Sequence, residues 1–306
     1  MTTPTAGRRT DGLPLLAAAR QRVVVTDGAM GTQLQQAGLE PGGCGDLWNL
    51  DHPERVLAIQ QRYVAAGAEV VLTSTFGSNR YVLRRYDAED RVAACNAAGA
   101  AIARRAAGAA AWVLGDIGPF GGFIAPLGDD SEDDVYDAFL VQARALVAGG
   151  VDGIVIETMT AVEEVALAIR AARDAGAPAV IASMAFDRTK AGLRTMMGTT
   201  PEQAAEAMLA AGADALAANC GTGLQASDFA DIARRYHAVA PDVIVMVEPN
   251  AGQPELDGDQ VVYREPPAVL AGAVPLLVDA GVRIIGGCCG TTPDHIRAVA
   301  LAARSL

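Results

Sequence analysis

The sequence predicts a single α/β domain whose eight parallel strands close into a (β/α)8 barrel, and three observations carry that expectation. Short aliphatic or β-branched runs recur along all 306 residues, each is followed by a Gly-, Asp- or Asn-containing loop, and each loop leads into a longer Ala-rich amphipathic stretch. Strict alternation of strand and helix is the pattern of a parallel sheet, because parallel neighbours need a crossover between them. Eight such units in a chain of this length fit one closed barrel, the TIM-barrel architecture, rather than two smaller domains.

The expected strands are residues 23–26, 70–73, 112–115, 153–157, 179–184, 215–219, 243–247 and 283–286. They read as unbroken apolar runs, as they should in a sheet buried on both faces. The expected helices are residues 53–66, 87–107, 131–148, 161–175, 201–211, 227–240, 266–280 and 293–303. Pro53, Pro201 and Pro293 fall in first turns, where a preset φ helps and no backbone donor is needed, and Gly67, Gly149, Gly176, Gly212 and Gly281 stand where helices stop. Residues 1–13 read as a flexible tail and residues 14–306 as the barrel. Two Gly- and Pro-rich stretches, 116–130 and 248–265, carry no evident secondary structure and are long enough to act as lids.

Composition narrows the function. At 51% hydrophobic and 20% charged residues the chain can bury one large core, which excludes whole-chain disorder. Its apolar runs, such as Val243 to Val247, stop far short of the roughly 20 residues that cross a bilayer. Lys plus Arg is 24 against 36 Asp plus Glu, a net charge of −12 with no basic cluster, which argues against nucleic acid and anionic membranes as partners. Arg8 and Arg9 have no apolar stretch behind them, so no secretory leader is read and a cytoplasmic location is expected. Five cysteines, an odd number, point to reduced thiols rather than a disulfide framework.

In a barrel of this kind the chemistry sits at the carboxyl ends of the strands. Those ends are Thr26-Asp27, Thr73, Asp116, Glu157, Met184, Asn219-Cys220, Glu248 and, after Gly286-Gly287, Cys288-Cys289. Strand ends turn polar wherever they meet water, which is reason enough for Asp116 or Glu248 taken singly, but solvent contact does not place thiols there. Cys220, Cys288 and Cys289 follow strands six and eight, close across the mouth, so three thiols can converge. A metal site, buried thiols and a redox trio all remain open on spacing alone. As a metal site, three soft ligands with a fourth position open is the catalytic form of zinc centre, able to hold a substrate thiol as thiolate at neutral pH. Thiol alkylation is the natural reaction of such a centre. Cys44 and Cys95 read as bystanders.

Four segments carry a family resemblance: Gly286 through Ile296 (GGCCGTTPDHI), Asp27 through Thr32 (DGAMGT), Glu157-Thr158-Met159 and Asn219-Cys220-Gly221. Together they closely resemble the homocysteine S-methyltransferase family from about Val23 to the C-terminus. The resemblance implies a zinc-containing (β/α)8 barrel with Cys220, Cys288 and Cys289 as ligands, and Asp27, Gly28, Thr73 and Glu157 around the amino-acid end of homocysteine. Segments Leu47 through Arg55, Ala88 through Val92 and Arg194 through Gly198 look like the bacterial betaine-homocysteine methyltransferases, themselves close to the homocysteine module of cobalamin-dependent methionine synthase. Glycine betaine is therefore the expected donor and dimethylglycine the co-product.

A quaternary ammonium suits aromatic faces, and Trp48, Phe76, Phe120, Phe123 and Tyr263 lie on expected mouth loops, with Trp48 matching the family's donor-site tryptophan. Thr158 and Gly77 stand where the animal betaine enzymes carry tyrosines, so the donor pocket departs from theirs. S-methylmethionine, a sulfonium betaine or a methyl-corrinoid protein would serve the same thiol chemistry, the last on a separate partner since no corrinoid signature is present. Two other classes compete: a metal-free barrel hydrolase or lyase using Asp27 and Glu157 as acid and base, and a non-catalytic zinc-stabilised accessory subunit of a corrinoid system. The expected partners are small molecules, homocysteine and a methyl donor, with a second copy of the chain and a corrinoid protein as further candidates.

Overall fold

A computed structural model of the protein describes residues 12–258 and 260–306, with only the backbone of Gln260. The expected tail, residues 1–13, therefore lies almost wholly outside the described residues. Eight strands form one parallel sheet: β1 Val24–Val25, β2 Val70–Leu72, β3 Trp112–Ile117, β4 Gly153–Met159, β5 Val180–Met184, β6 Ala215–Asn219, β7 Ile244–Glu248 and β8 Val282–Ile285. They pair in the order β1-β8-β7-β6-β5-β4-β3-β2. The remaining seam closes through a parallel bridge between Thr26 and Val70 and through the Glu69 N–H, which donates to the Val25 carbonyl at 2.7 Å. The expected barrel is thus present.

Side-chain alternation along the strands divides the core in two. One set, including Val24, Val70, Trp112, Leu114, Val155, Ile181, Ala215, Ala217, Ile244, Met246 and Ile284, fills the barrel interior. The other set, including Val71, Val113, Ile154, Ile156, Val245 and Ile285, meets the helices outside. A five-residue helix, Leu15–Ala19, joins the interior set through Leu15, Ala18 and Ala19 and stops the lower end of the barrel. Its position is pinned by the Trp112 indole N–H, which donates to the Leu13 carbonyl at 3.1 Å.

The outer helices are α1 Pro53–Ala66, α2 Val92–Ala107, α3 Glu132–Ala148, α4 Val162–Asp174, α5 Pro201–Ala211, α6 Ala226–Val239, α7 Pro267–Asp279 and α8 Pro293–Ala303. Capping explains their limits. Ser131 caps α3, Thr200 and Thr292 form capping boxes on α5 and α8, and Gly67 and Gly212 end α1 and α5 in the left-handed conformation. One start differs from expectation. Helix α2 begins at Val92 rather than 87, because Asp87 turns left-handed (φ 51°) and a 3-10 turn, Glu89–Arg91, precedes the helix. The stretch 248–265 is also not bare loop: Glu255–Asp257 pairs antiparallel with Gln260–Val262. A second short hairpin, Asp187–Thr189 with Gly192–Arg194, follows β5. No helix among the described residues is long and apolar enough to cross a membrane.

Candidate active site

Three sulfurs meet at the upper end of the barrel. The Sγ atoms of Cys220, Cys288 and Cys289 all lie within 4.8 Å of one another. Cys220 leaves β6 with φ 56° and Gly221 follows at φ 83°, a left-handed pair that folds the chain back over the strand end. A β-carbon at Gly221 would strike the Phe186 carbonyl oxygen, so this position takes glycine for space as well as for conformation. The Cys288-Cys289 turn leaves β8 with its Cys288 N–H bonded to the Pro249 carbonyl at 2.9 Å and the Thr291 hydroxyl to the Cys288 carbonyl at 2.7 Å. At Gly290 a β-carbon would collide with the ring of Tyr263, which packs flush against the turn.

The protonation of the three thiols is shared. Hydrogen bonds from Cys288 and Cys289 pull the Cys220 thiol far below its ordinary range, while the same contacts push Cys288 well up and Cys289 to about 11. Thiol protons are thus held among the sulfurs, as in the Cys288 S–H contact to Cys289 Sγ at 3.9 Å. Beside them the Asn250 amide nitrogen stands 3.8 Å from Cys220 Sγ, and its Oδ1 is buried with no hydrogen-bond partner. A soft cation among the sulfurs would replace those protons and give an orphaned oxygen a partner, so these residues fit a metal ion.

The sulfurs open onto a cavity of about 430 Å³. Asp27, Gly28, Thr73 and Glu157 line it with the three cysteines, as do Asp46, Asp116, Glu248 and the apolar Met30, Leu34, Leu39 and Phe76. No Lys or Arg is among the lining residues. Burial raises the Asp27, Asp116 and Glu248 carboxyls well above their ordinary range, and the nearby Glu157 charge adds to each. Glu157 itself is raised to about 7, chiefly by burial. A cavity of this polarity favours a cationic group on whatever enters it.

Seven of the eight residues expected at the site therefore converge. Thr73 arrives with its hydroxyl already engaged, accepting from the Asp116 N–H at 2.9 Å and bonding the Thr75 hydroxyl at 2.6 Å, so it braces the cavity wall. Trp48 does not reach the cavity. It begins a one-turn helix, Trp48–Asp51, and is 7% exposed among the outer core residues, with His52 against its edge and the Arg55 guanidinium 5.1 Å from its ring centre. Its indole is held by packing, and its face is already covered by a cation. Phe120 is also core, packed edge-on to Tyr81. Phe76 lines the cavity, Phe123 is exposed, and Tyr263 stands beside Cys289. The sequence reading passed over Asn250 and the hydrogen bonding of Asn219. Asn219 ends β6 and Asn250 follows β7, and a polar residue there was the available signal.

A sequence profile of the family described as homocysteine S-methyltransferase matches residues 24–303. The chain belongs to that family. Among its relatives are the methionine synthases of Mycobacterium leprae and Mycobacterium tuberculosis, each 36% identical over 94% and 95% of this chain, respectively. The chain spans about a quarter of the length of those two proteins. The homocysteine methyltransferase MmuM from Escherichia coli, in its metallated form, superposes over 94% of this chain and 99% of its own with a TM-score of 0.76 at 22% identity, a likeness of fold. A homocysteine S-methyltransferase family barrel with three convergent thiols agrees with the sequence reading of both fold and family.

Proposed function

We propose that this protein methylates the thiol of homocysteine to give methionine, at a zinc ion held by Cys220, Cys288 and Cys289. The observation that carries the reading is the convergence of three sulfurs beside an acidic cavity in a chain of this family. Zinc, when bound there, would hold the substrate sulfur as a thiolate at neutral pH. Glu157, on the cavity wall and hydrogen-bonded by Asn219, would accept the substrate ammonium, with Asp27, just past β1, lining the same cavity. Asp27 is itself oriented by the Leu72 N–H at 3.0 Å. The apolar side chains Met30, Leu34, Leu39 and Phe76 on the cavity wall would limit water around a bound sulfur, which would favour transfer by positioning and desolvation.

Glycine betaine is the proposed donor, leaving as dimethylglycine. The quaternary ammonium of this zwitterion suits a cavity lined by carboxyls and by Phe76. One observation favours a second reading: two relatives at 36% identity are methionine synthases about four times as long. On that reading a separate methyl-corrinoid protein docks at the mouth and supplies the methyl group. Three free thiols call for a reducing, cytoplasmic compartment. The test is to incubate zinc-loaded protein with homocysteine and each donor in parallel and to follow methionine by mass spectrometry. Methionine with betaine supports the first reading and methionine only with a methyl-corrinoid protein the second. No methionine with any donor would overturn both.

A further inference from the structure

Asn219 is the last residue of β6 and 1% exposed, and every hydrogen-bonding position of its amide is taken. Its Oδ1 accepts the Thr158 N–H at 3.0 Å and the Ser183 hydroxyl at 2.6 Å. Those two donors fix which way the amide faces, since the reversed amide would set N–H against N–H. Its Nδ2 is thereby aimed at Glu157 Oε1 at 2.8 Å, Thr158 Oγ1 at 2.7 Å and Cys288 Sγ at 3.6 Å. Two amide hydrogens thus serve three acceptors on two different structural elements. Thr158 is held by this amide at φ 61°, a conformation a β-branched residue avoids without such support.

We propose that Asn219 is a positioning residue that fixes the distance between the Glu157 carboxylate and the sulfur centre, and so selects a substrate carrying both an ammonium and a thiol at the matching separation. The inference rests on the reading of the site as a homocysteine site. Glu157 stands at the end of β4 and Cys288 on the loop after β8. Asn219 lies between them in the sheet and contacts both, alongside a direct Cys288 S–H contact to Glu157 Oε1 at 3.8 Å. Without the amide donor, Glu157 can rotate away from the ammonium, and the thiol end of the substrate loses its register with the amino end.

The test is calorimetric binding of two thiols to zinc-loaded protein: homocysteine, and 4-sulfanylbutanoate, which has the same chain and carboxylate but no ammonium. Asn219→Ala is expected to weaken homocysteine about 10- to 100-fold and the des-amino thiol by no more than about threefold. Asn219→Asp keeps an acceptor for Thr158 and Ser183 but places a second acceptor against Glu157, and is expected to give the same split. Adding Glu157→Gln to Asn219→Ala is expected to cost homocysteine binding little beyond the larger single effect. Equal weakening of both thiols, or none for homocysteine, would overturn the proposal. A wild-type protein that binds neither thiol would instead overturn the reading of the site, and this inference with it.

Discussion

Replacing Glu164 by glutamine should stabilise the protein at alkaline pH and leave it unchanged at acid pH. Glu164 lies on α4, is 6% exposed, and accepts the Phe120 N–H at 2.8 Å, tying the start of the loop after β3 to the helix layer. Burial raises its carboxyl from 4.5 to about 7, and the single backbone donor only partly offsets that. Between those values the folded state holds a proton that the unfolded chain has released. Stability assigned to this group is therefore complete below pH 4.5 and is lost as the pH rises to about 7. At about 1.4 kcal/mol for each tenfold change in proton affinity, the loss reaches about 3 kcal/mol at pH 8. Glutamine keeps the acceptor for Phe120 and cannot ionise. Urea unfolding of both proteins from pH 4 to 8 checks this: the curves should coincide near pH 4, draw apart in favour of Glu164→Gln as the pH rises from 4.5 to about 7, and keep a constant gap above it. Parallel curves across the range would refute the reasoning.

Removing Cys288 as alanine should lower zinc affinity at least about a hundredfold, read by competition with a chromogenic chelator, while the urea midpoint of the metal-free protein moves little. Gly290→Ala should force Tyr263 off the Cys288-Cys289 turn and cost about tenfold in zinc affinity. Adding Tyr263→Ala should not restore that affinity, because the Tyr263 β-carbon still meets the new methyl and Gly290 keeps a left-handed φ of 77°. For Trp48→Phe the packing predicts a stability loss of about 1–3 kcal/mol in urea unfolding with the donor KM unchanged, whereas a donor-binding tryptophan would show the reverse pattern.

The barrel was legible because its strands and helices repeat with unambiguous periods and most helix limits are written in Pro, Ser, Thr and Gly. Helix α2 was mis-started because Asp87-Ala88-Glu89-Asp90 suits a first helical turn equally well, and only the left-handed Asp87 separates the two. The helix Leu15–Ala19 is too short for periodicity to register, although it closes the barrel floor. The hairpin Glu255–Asp257 with Gln260–Val262 is exposed and lies in a Gly- and Pro-containing stretch that also reads as loop. The three-thiol cluster was legible from vicinal cysteines among glycines, since no packing demand accounts for thiols at two strand ends. Trp48 misled because a sequence displays an aromatic residue without displaying what covers it, here Arg55 and His52. The role of Asn219 was hidden for a related reason: its partners come from β4, β5 and the β8 loop, separations that only the closed sheet brings together.

X-ray absorption at the zinc edge, with and without homocysteine, tests the central claim most directly. The account predicts three sulfur ligands at about 2.3 Å in the protein alone and a fourth when homocysteine is added, the three-sulfur signal being lost in Cys288→Ala. Fewer than three sulfurs, or a shell that homocysteine leaves unchanged, would contradict it.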